Sequence, residues 1–302
     1  MSAATPYLTV PELLSAPTGI SWNTIPSRAS SVAAQQAEQT NICWRATHMI
    51  DEYCNQPLRA TLDTETLTGP DARLTVQNNG VAQFVTERWP ILAVVSGKCS
   101  PAAAFPPVWV PMTPDNFIIH SPAVGLAGSS AFGAAGGGAS RIEVSPGFVS
   151  WFAGRNGYRL EITYINGWPH TGLTAAVLAG AQTIEVDDCT GWGTGSGVLG
   201  TFRDGVNTET VLATATSVTS GPGTVTLATP LQYPHAVGIA FTAMPWSIQQ
   251  AAILYATGLA LLRGATALTA QSSPGSMTSG GKGTDDLYSE AEVLLDPYRR
   301  VF

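Results

Sequence analysis

The residues with the greatest chemical reach in this chain are four histidines, four cysteines and a scatter of carboxylates. Their spacing assembles no reactive set. Cys43 and His48 stand five apart in a helix-prone stretch, on loosely related faces. A structural metal site wants four ligands in paired spacings, so no metal is expected. The carboxylate pairs Asp51-Glu52 and Asp187-Asp188 fall at a helix end and at a turn, where acids serve as caps or solvated faces. Neither a G-x-S-x-G elbow nor a Walker sequence occurs. The run from Gly191 to Gly197 has the glycine content of a phosphate loop, but no helical pattern with a Lys follows it. A cluster of β-turns is the better reading. Eight tryptophans could stack on sugar rings, yet they are spread along the chain and fit core and interface anchors better. The expectation is a protein that is not an enzyme, with no catalytic residue and no cofactor, working through its surfaces.

Composition narrows the partners. Charged residues are 12% of the 302, about half the usual share, while Gly (31) and Pro (21) are plentiful. A lone monomer carries a more charged skin, so self-association is expected. The net charge is −7, the only lysines are Lys98 and Lys282, and the arginines form no run. Phosphate grip comes from Lys and Arg contacts, so tight sequence-specific nucleic-acid binding is not expected. Four cysteines without a C-x-x-C pair read as reduced thiols. The first residues lack a signal-peptide pattern, and the longest apolar run, Ala251 to Leu262, is shorter than the ~20 residues a bilayer needs. A soluble protein is expected.

These residues must be positioned by elements of two kinds. Thr9-Val10-Pro11-Glu12 opens a short helix, with a cap and a first-turn proline. Helical spacing of Val32, Ala37, Cys43, Thr47 and Ile50 predicts a long helix from about Ser27 to Cys54, stopped by Asn55 and Pro57. Strand patterns follow at 61–67, 73–76, 82–86 and 89–95, with Asn78-Asn79-Gly80 as a hairpin turn. Residues 101–147 hold only Asp115, Arg141 and Glu143 as charges and read as a long loop with a Gly136-Gly137-Gly138 tip. Strands return from Phe148 to Ile165. Residues 171–244 read as an inserted small β domain, with strands at 183–186, 211–214 and 224–227. A helix from Trp246 to Gln271, a Ser/Gly linker at 272–283, a helix from Asp285 to Leu295 and a short tail complete the chain.

Four strings stand out in this order: Tyr53-Cys54-Asn55-Gln56-Pro57-Leu58, Arg88-Trp89-Pro90-Ile91, the run from Tyr158 to Pro169, and Leu294-Leu295-Asp296-Pro297-Tyr298-Arg299-Arg300-Val301. Together they resemble the head-tail connector (adaptor) proteins of long-tailed bacteriophages, over roughly 7–170 and 245–302. The insertion at 171–244 departs from the plain family pattern and resembles a small all-β repeat unit, in which Glu209 and His235 would bond turn backbones. The resemblance implies an α+β fold: a discontinuous helical adaptor domain (1–170 and 245–302) with long helices and a small antiparallel β region, plus the inserted all-β domain. It further implies a virion protein of the neck, assembled in the bacterial host cytoplasm. There it would form a homo-oligomeric ring, a dodecamer, under the portal protein, pass genomic DNA without reading it, and receive the next neck or tail-completion protein. Tyr298, Arg299, Arg300 and Phe302 are aromatic and Arg anchors of the kind enriched at interfaces, and are the candidate contacts to portal or neighbour. Rival readings are a tail-completion, tail-tube or capsid-decoration protein, or a carbohydrate-binding surface protein. Long helices argue against the tube.

Overall fold

The computed structural model describes residues 5–22, 31–68, 73–76, 82–101, 104–120, 141–144, 158–195, 197–262 and 284–300. The expectation of a helical adaptor domain with long helices is overturned. Fourteen strands in three antiparallel sheets dominate the described residues, with four α-helices beside them. The turn at Asn78-Asn79-Gly80, the Gly136–Gly138 tip, the strand start at Phe148, the linker at 272–283 and Phe302 lie outside the described residues.

The helices are α1 (Val10–Ser15), α2 (Val32–Cys54), α3 (Trp246–Leu262) and α4 (Thr284–Leu295). The Ser31 hydroxyl accepts the Ala34 N–H and starts α2. Asn55, left-handed at φ 54°, ends it. Ile42, Cys43, Ala46, Ile50 and Cys54 recur every three or four residues and are fully buried. They share one core with Ile248, Ala252 and Tyr255 of α3 and Leu287, Ala291 and Leu295 of α4. Gly258 lets the Tyr288 ring lie directly on α3, where a Cβ would collide with it.

Two four-stranded sheets face each other over a second core. The first is ordered β1 (Thr61–Thr68), β8 (Tyr158–Asn166), β4 (Ile91–Pro101), β5 (Val110–Met112); the second β2 (Leu74–Val76), β3 (Ala82–Val85), β7 (Arg141–Val144), β6 (Phe117–His120). Leu160, Ile162 and Tyr164 of β8 meet Phe84, Ile142 and Phe117 between the sheets. Residues 101–147, which read as a loop, thus supply three strands. Their Ala, Pro and Gly content hides short β-prone runs such as Phe117-Ile118-Ile119.

The third sheet is β10 (Thr183–Val186), β13 (Gly223–Leu227), β12 (Glu209–Thr216), β11 (Val198–Phe202), β14 (Ala240–Thr242), β9 (His170–Gly172). Its two ends meet, because Leu173, just past β9, bridges Val186 of β10, and the Asp187 N–H bonds the Gly172 carbonyl. The sheet therefore curls into a small barrel and covers its own edges. Trp192, Phe202 and Phe241 stack inside it, with ring centroids 4.1 and 4.5 Å apart.

Candidate functional site

The strings separated in sequence converge where α2 ends. After Cys54 the chain turns out through Gln56, whose buried amide clamps two other segments. Its Nε2 donates to the Tyr298 carbonyl (3.2 Å), and its Oε1 accepts the Trp89 N–H (3.3 Å). Trp168, 1% exposed, is the centre of this node. Trp89 and Tyr298 stand edge-on to it at 6.2 and 5.3 Å. Its N–H donates to Leu58 O, and the Ala60 N–H returns to Trp168 O. Gly167 before it has φ +84°, and a Cβ there would run into the Arg59 and Leu58 carbonyls, so glycine is required.

The carboxy-terminal segment docks on the same node. Tyr298 is buried, and its hydroxyl pairs with the Ser247 hydroxyl at 2.8 Å. The Asp296 carboxylate accepts the Tyr53 hydroxyl at 2.6 Å. Arg300 donates its N–H to Cys54 O, and its guanidinium lies 3.7 Å from Glu87. The Arg299 guanidinium sits 5.2 Å over the Tyr53 ring and is solvent-exposed. Of the sequence-predicted contact residues, Tyr298 is thus occupied within the chain, Arg300 is partly so, and Arg299 faces outward.

A second polar centre joins the amino-terminal strap (5–9), the helices and the barrel. Tyr7 is fully buried; its hydroxyl donates to Asp51 (2.6 Å) and accepts the Leu58 and Arg59 N–H groups (2.8 and 3.1 Å). Burial raises the Asp51 carboxyl, and burial together with Asp51 pushes the Tyr7 hydroxyl well up. Thr5 donates to Asp187 of the barrel (2.7 Å). His170 bridges strap and barrel, with Nε2 2.9 Å from the Pro6 carbonyl and Nδ1 2.9 Å from the Thr242 hydroxyl. A carbonyl only accepts, so Nε2 carries the proton and Nδ1 takes the Thr242 hydroxyl. Glu12 reaches back to the Thr9 N–H and hydroxyl, accepts Gln249 of α3 at 2.9 Å, and lies 4.0 Å from Arg203 of the barrel.

Burial pushes His170 down to about 4. Its folded value is depressed below the unfolded one near 6.5, so its contribution is whole above pH ~6.5 and fades towards pH ~4. That shift is worth on the order of 3 kcal/mol. Glu12, Asp51 and Glu65, whose carboxyls burial raises, act with the opposite sign. The expected result therefore lies in a difference. His170→Gln, whose amide still donates to Pro6, should be less destabilising at pH ~4 than at pH ~7. Urea unfolding at both values checks it, and an equal deficit at both would remove His170 as the source.

Neither centre presents a reactive group. Burial pushes the Cys43 and Cys54 thiols up to about 12, which keeps them protonated. Cys43 faces the helical core, whereas His48 lies exposed beside Trp44. Asp187 takes Thr5, Thr171 and Gly172 and so ties the strap and β9 to the end of β10, while Asp188 closes a turn on Thr190 and also takes the Gly221 N–H. Gly191 and Gly195 have positive φ in the turn run before β11. Of the tryptophans, Trp22, Trp168 and Trp192 are buried, Arg203 lies over Trp246 and Lys98 over Trp109. Among the described residues no three His, Cys, Asp or Glu side chains gather as a metal site, and no helix is long and apolar enough to cross a membrane. Sequence reading missed Tyr7 and Arg203 and the clamping role of Gln56, whose partners lie 33 to 242 residues away. The Thr9-x-x-Glu12 spacing was the one legible signal, as a capping box. No family model matches the chain, and no curated protein or solved structure is significantly similar to it.

Proposed function

We propose that the chain is a structural virion protein that joins head to tail: copies of it form a ring under the portal, extend the DNA channel and offer a platform to the next neck or tail protein. One observation carries this reading. The four strings on which the connector resemblance rests are scattered along the chain, yet their described residues, between 53 and 300, pack around Trp168 as one node. Such co-packing explains why those residue types stand together, which four independent coincidences would not. The node leaves Arg299 outward for a partner, and the sparse, net acidic charge suits a channel that must let DNA slide.

A second virion role, tail completion or tail tube, is favoured by one finding, the predominance of antiparallel strands. Electron microscopy of the purified protein mixed with DNA-filled, tailless heads of its phage separates the two. A ring of new density at the portal vertex is expected. Density along tails or over the capsid, with none at the portal, would sink the connector reading.

A further inference from the structure

His235 lies on the return from β13 to β14, and its side chain is fully buried. Phe202 of β11 stacks on the ring face, with centroids 4.3 Å apart and planes 5° from parallel. Both ring nitrogens face carboxylates: Nδ1 is 2.9 Å from Asp204 Oδ2, just past β11, and Nε2 is 2.9 Å from Glu209 Oε1 of β12. Glu209 is anchored as well, because its carboxylate accepts the Gln232 and Tyr233 N–H groups (2.9 and 3.0 Å). Burial opposes its charge, but those amides and His235 hold the Glu209 carboxyl below its ordinary range.

Carboxylate oxygens only accept, and a neutral imidazole has a single N–H. Both contacts are hydrogen bonds only while the array holds one proton more than two carboxylates and a neutral ring. That proton belongs to the array and not to one residue. Without it, a ring lone pair faces a carboxylate lone pair with no solvent between them. We propose that Asp204, His235 and Glu209 form a proton-operated clasp that pins the 231–238 return to the β11–β12 hairpin and loosens when one proton leaves to solvent. The opening falls on the Asp204 side, since Asp204 is 24% exposed and Glu209 is tied by two amides. The charged groups placed against the ring are Asp204 from the segment after β11 and Glu209 from β12; Tyr233 is the titratable neighbour on its own loop. Across the gap, His235 and Val177 exchange two backbone hydrogen bonds, both 2.9 Å. The pinned segments also carry the exposed Val206, Tyr233 and Val237, so the clasp sets how this end of the barrel is presented.

Nitrogen-15 NMR of the full chain tests this on the ring itself. While the clasp is closed both His235 ring nitrogens should carry protons. Raising the pH until the extra proton leaves should bare one of them, and protection of the Val177 and His235 amides, corrected for intrinsic exchange, should fall about tenfold in step with it. Asp204→Asn supplies a donor to a neutral ring, so in that variant protection should no longer depend on pH. A bare ring nitrogen in the wild-type chain while the Val177 and His235 amides are fully protected would overturn the clasp. So would pH-independent protection in the wild type, or the same pH response in Asp204→Asn.

Discussion

Tyr7→Phe should lower the unfolding free energy by about 3–5 kcal/mol, although it deletes a single oxygen. That oxygen serves three partners at once, Leu58 buried and Asp51 and Arg59 half-buried. It donates to Asp51 and accepts the Leu58 and Arg59 N–H groups, which lie where α2 hands the chain to β1. Asp51 keeps a weaker contact from the Leu58 N–H at 3.2 Å, while the Arg59 N–H is left without the hydroxyl. Each stranded polar group costs about 1–3 kcal/mol, more where one is charged. The sum is capped because Asp51, already raised by burial, can take up a proton. Urea unfolding near neutral pH measures the loss, and hydrogen exchange should show Leu58 and Arg59 among the amides that open first. Pairing Tyr7→Phe with Asp51→Asn should recover part of the loss, because the double variant strands no charge. A cost under about 1 kcal/mol would mean that Tyr7 acts by packing alone.

The Tyr7 hub shows which parts of this molecule a sequence reader can reach. The helices were legible because their signals are local: Ser31 caps α2, Asn55 ends it, and its buried face repeats every three or four residues. The strands near 61–67 and 159–165 were legible by alternation, and those near 82–86 and three in the barrel as short β-prone runs between turn residues. What failed was their weight. Long helices are conspicuous, and they drew the fold class towards a helical domain, whereas strands of three to five residues become a sheet only with distant partners. Phe117–His120 is one such case: it pairs with Arg141–Val144 from within a stretch dominated by Ala, Gly and Pro. Glu65 is another. It is a charged residue at an inward position of the regularly alternating β1, where the Tyr164 hydroxyl and the Glu87 N–H meet its carboxylate.

The candidate node divides in the same way. Its strings could be read one by one, and Tyr298 stood out as an aromatic anchor. Its orientation could not be read, since nothing near 298 reports that Trp168 and Gln56 wait to receive it. An anchor for a partner and an anchor for the chain's own core have the same local composition. Arg299, one residue on, keeps the outward role because the turn at Asp296–Tyr298 points successive side chains in different directions.

Arg203→Met should cost about 3–5 kcal/mol near neutral pH, the range for stripping one partner from a buried ion pair. The guanidinium is 3% exposed; it donates to the Met244 carbonyl at 2.9 Å, lies 4.0 Å from Glu12, and stacks under Trp246 at 4.8 Å. Its Nε and Nη1 make no hydrogen bond, and burial lowers it to about 10. The pair is therefore a compromise between desolvation and attraction, not a strong bond. Removing the Arg leaves the Glu12 carboxylate buried against neutral donors only, and its carboxyl, already raised by burial, should rise further. A carboxyl raised in the folded state contributes stability that is whole below its unfolded value and is lost as pH rises through the folded one. The deficit of Arg203→Met should accordingly be smallest near pH ~4 and grow towards neutrality, the same direction as for His170→Gln, but here because the variant weakens as pH rises and not because the wild type weakens as pH falls. Adding Glu12→Gln, which keeps an acceptor for Thr9, should bring stability back to within about 2 kcal/mol of the wild type. Urea unfolding of the two single variants and the double one closes the cycle. Additive losses would show that Arg203 matters through Met244 and Trp246, and that its charge does not join the barrel to α1.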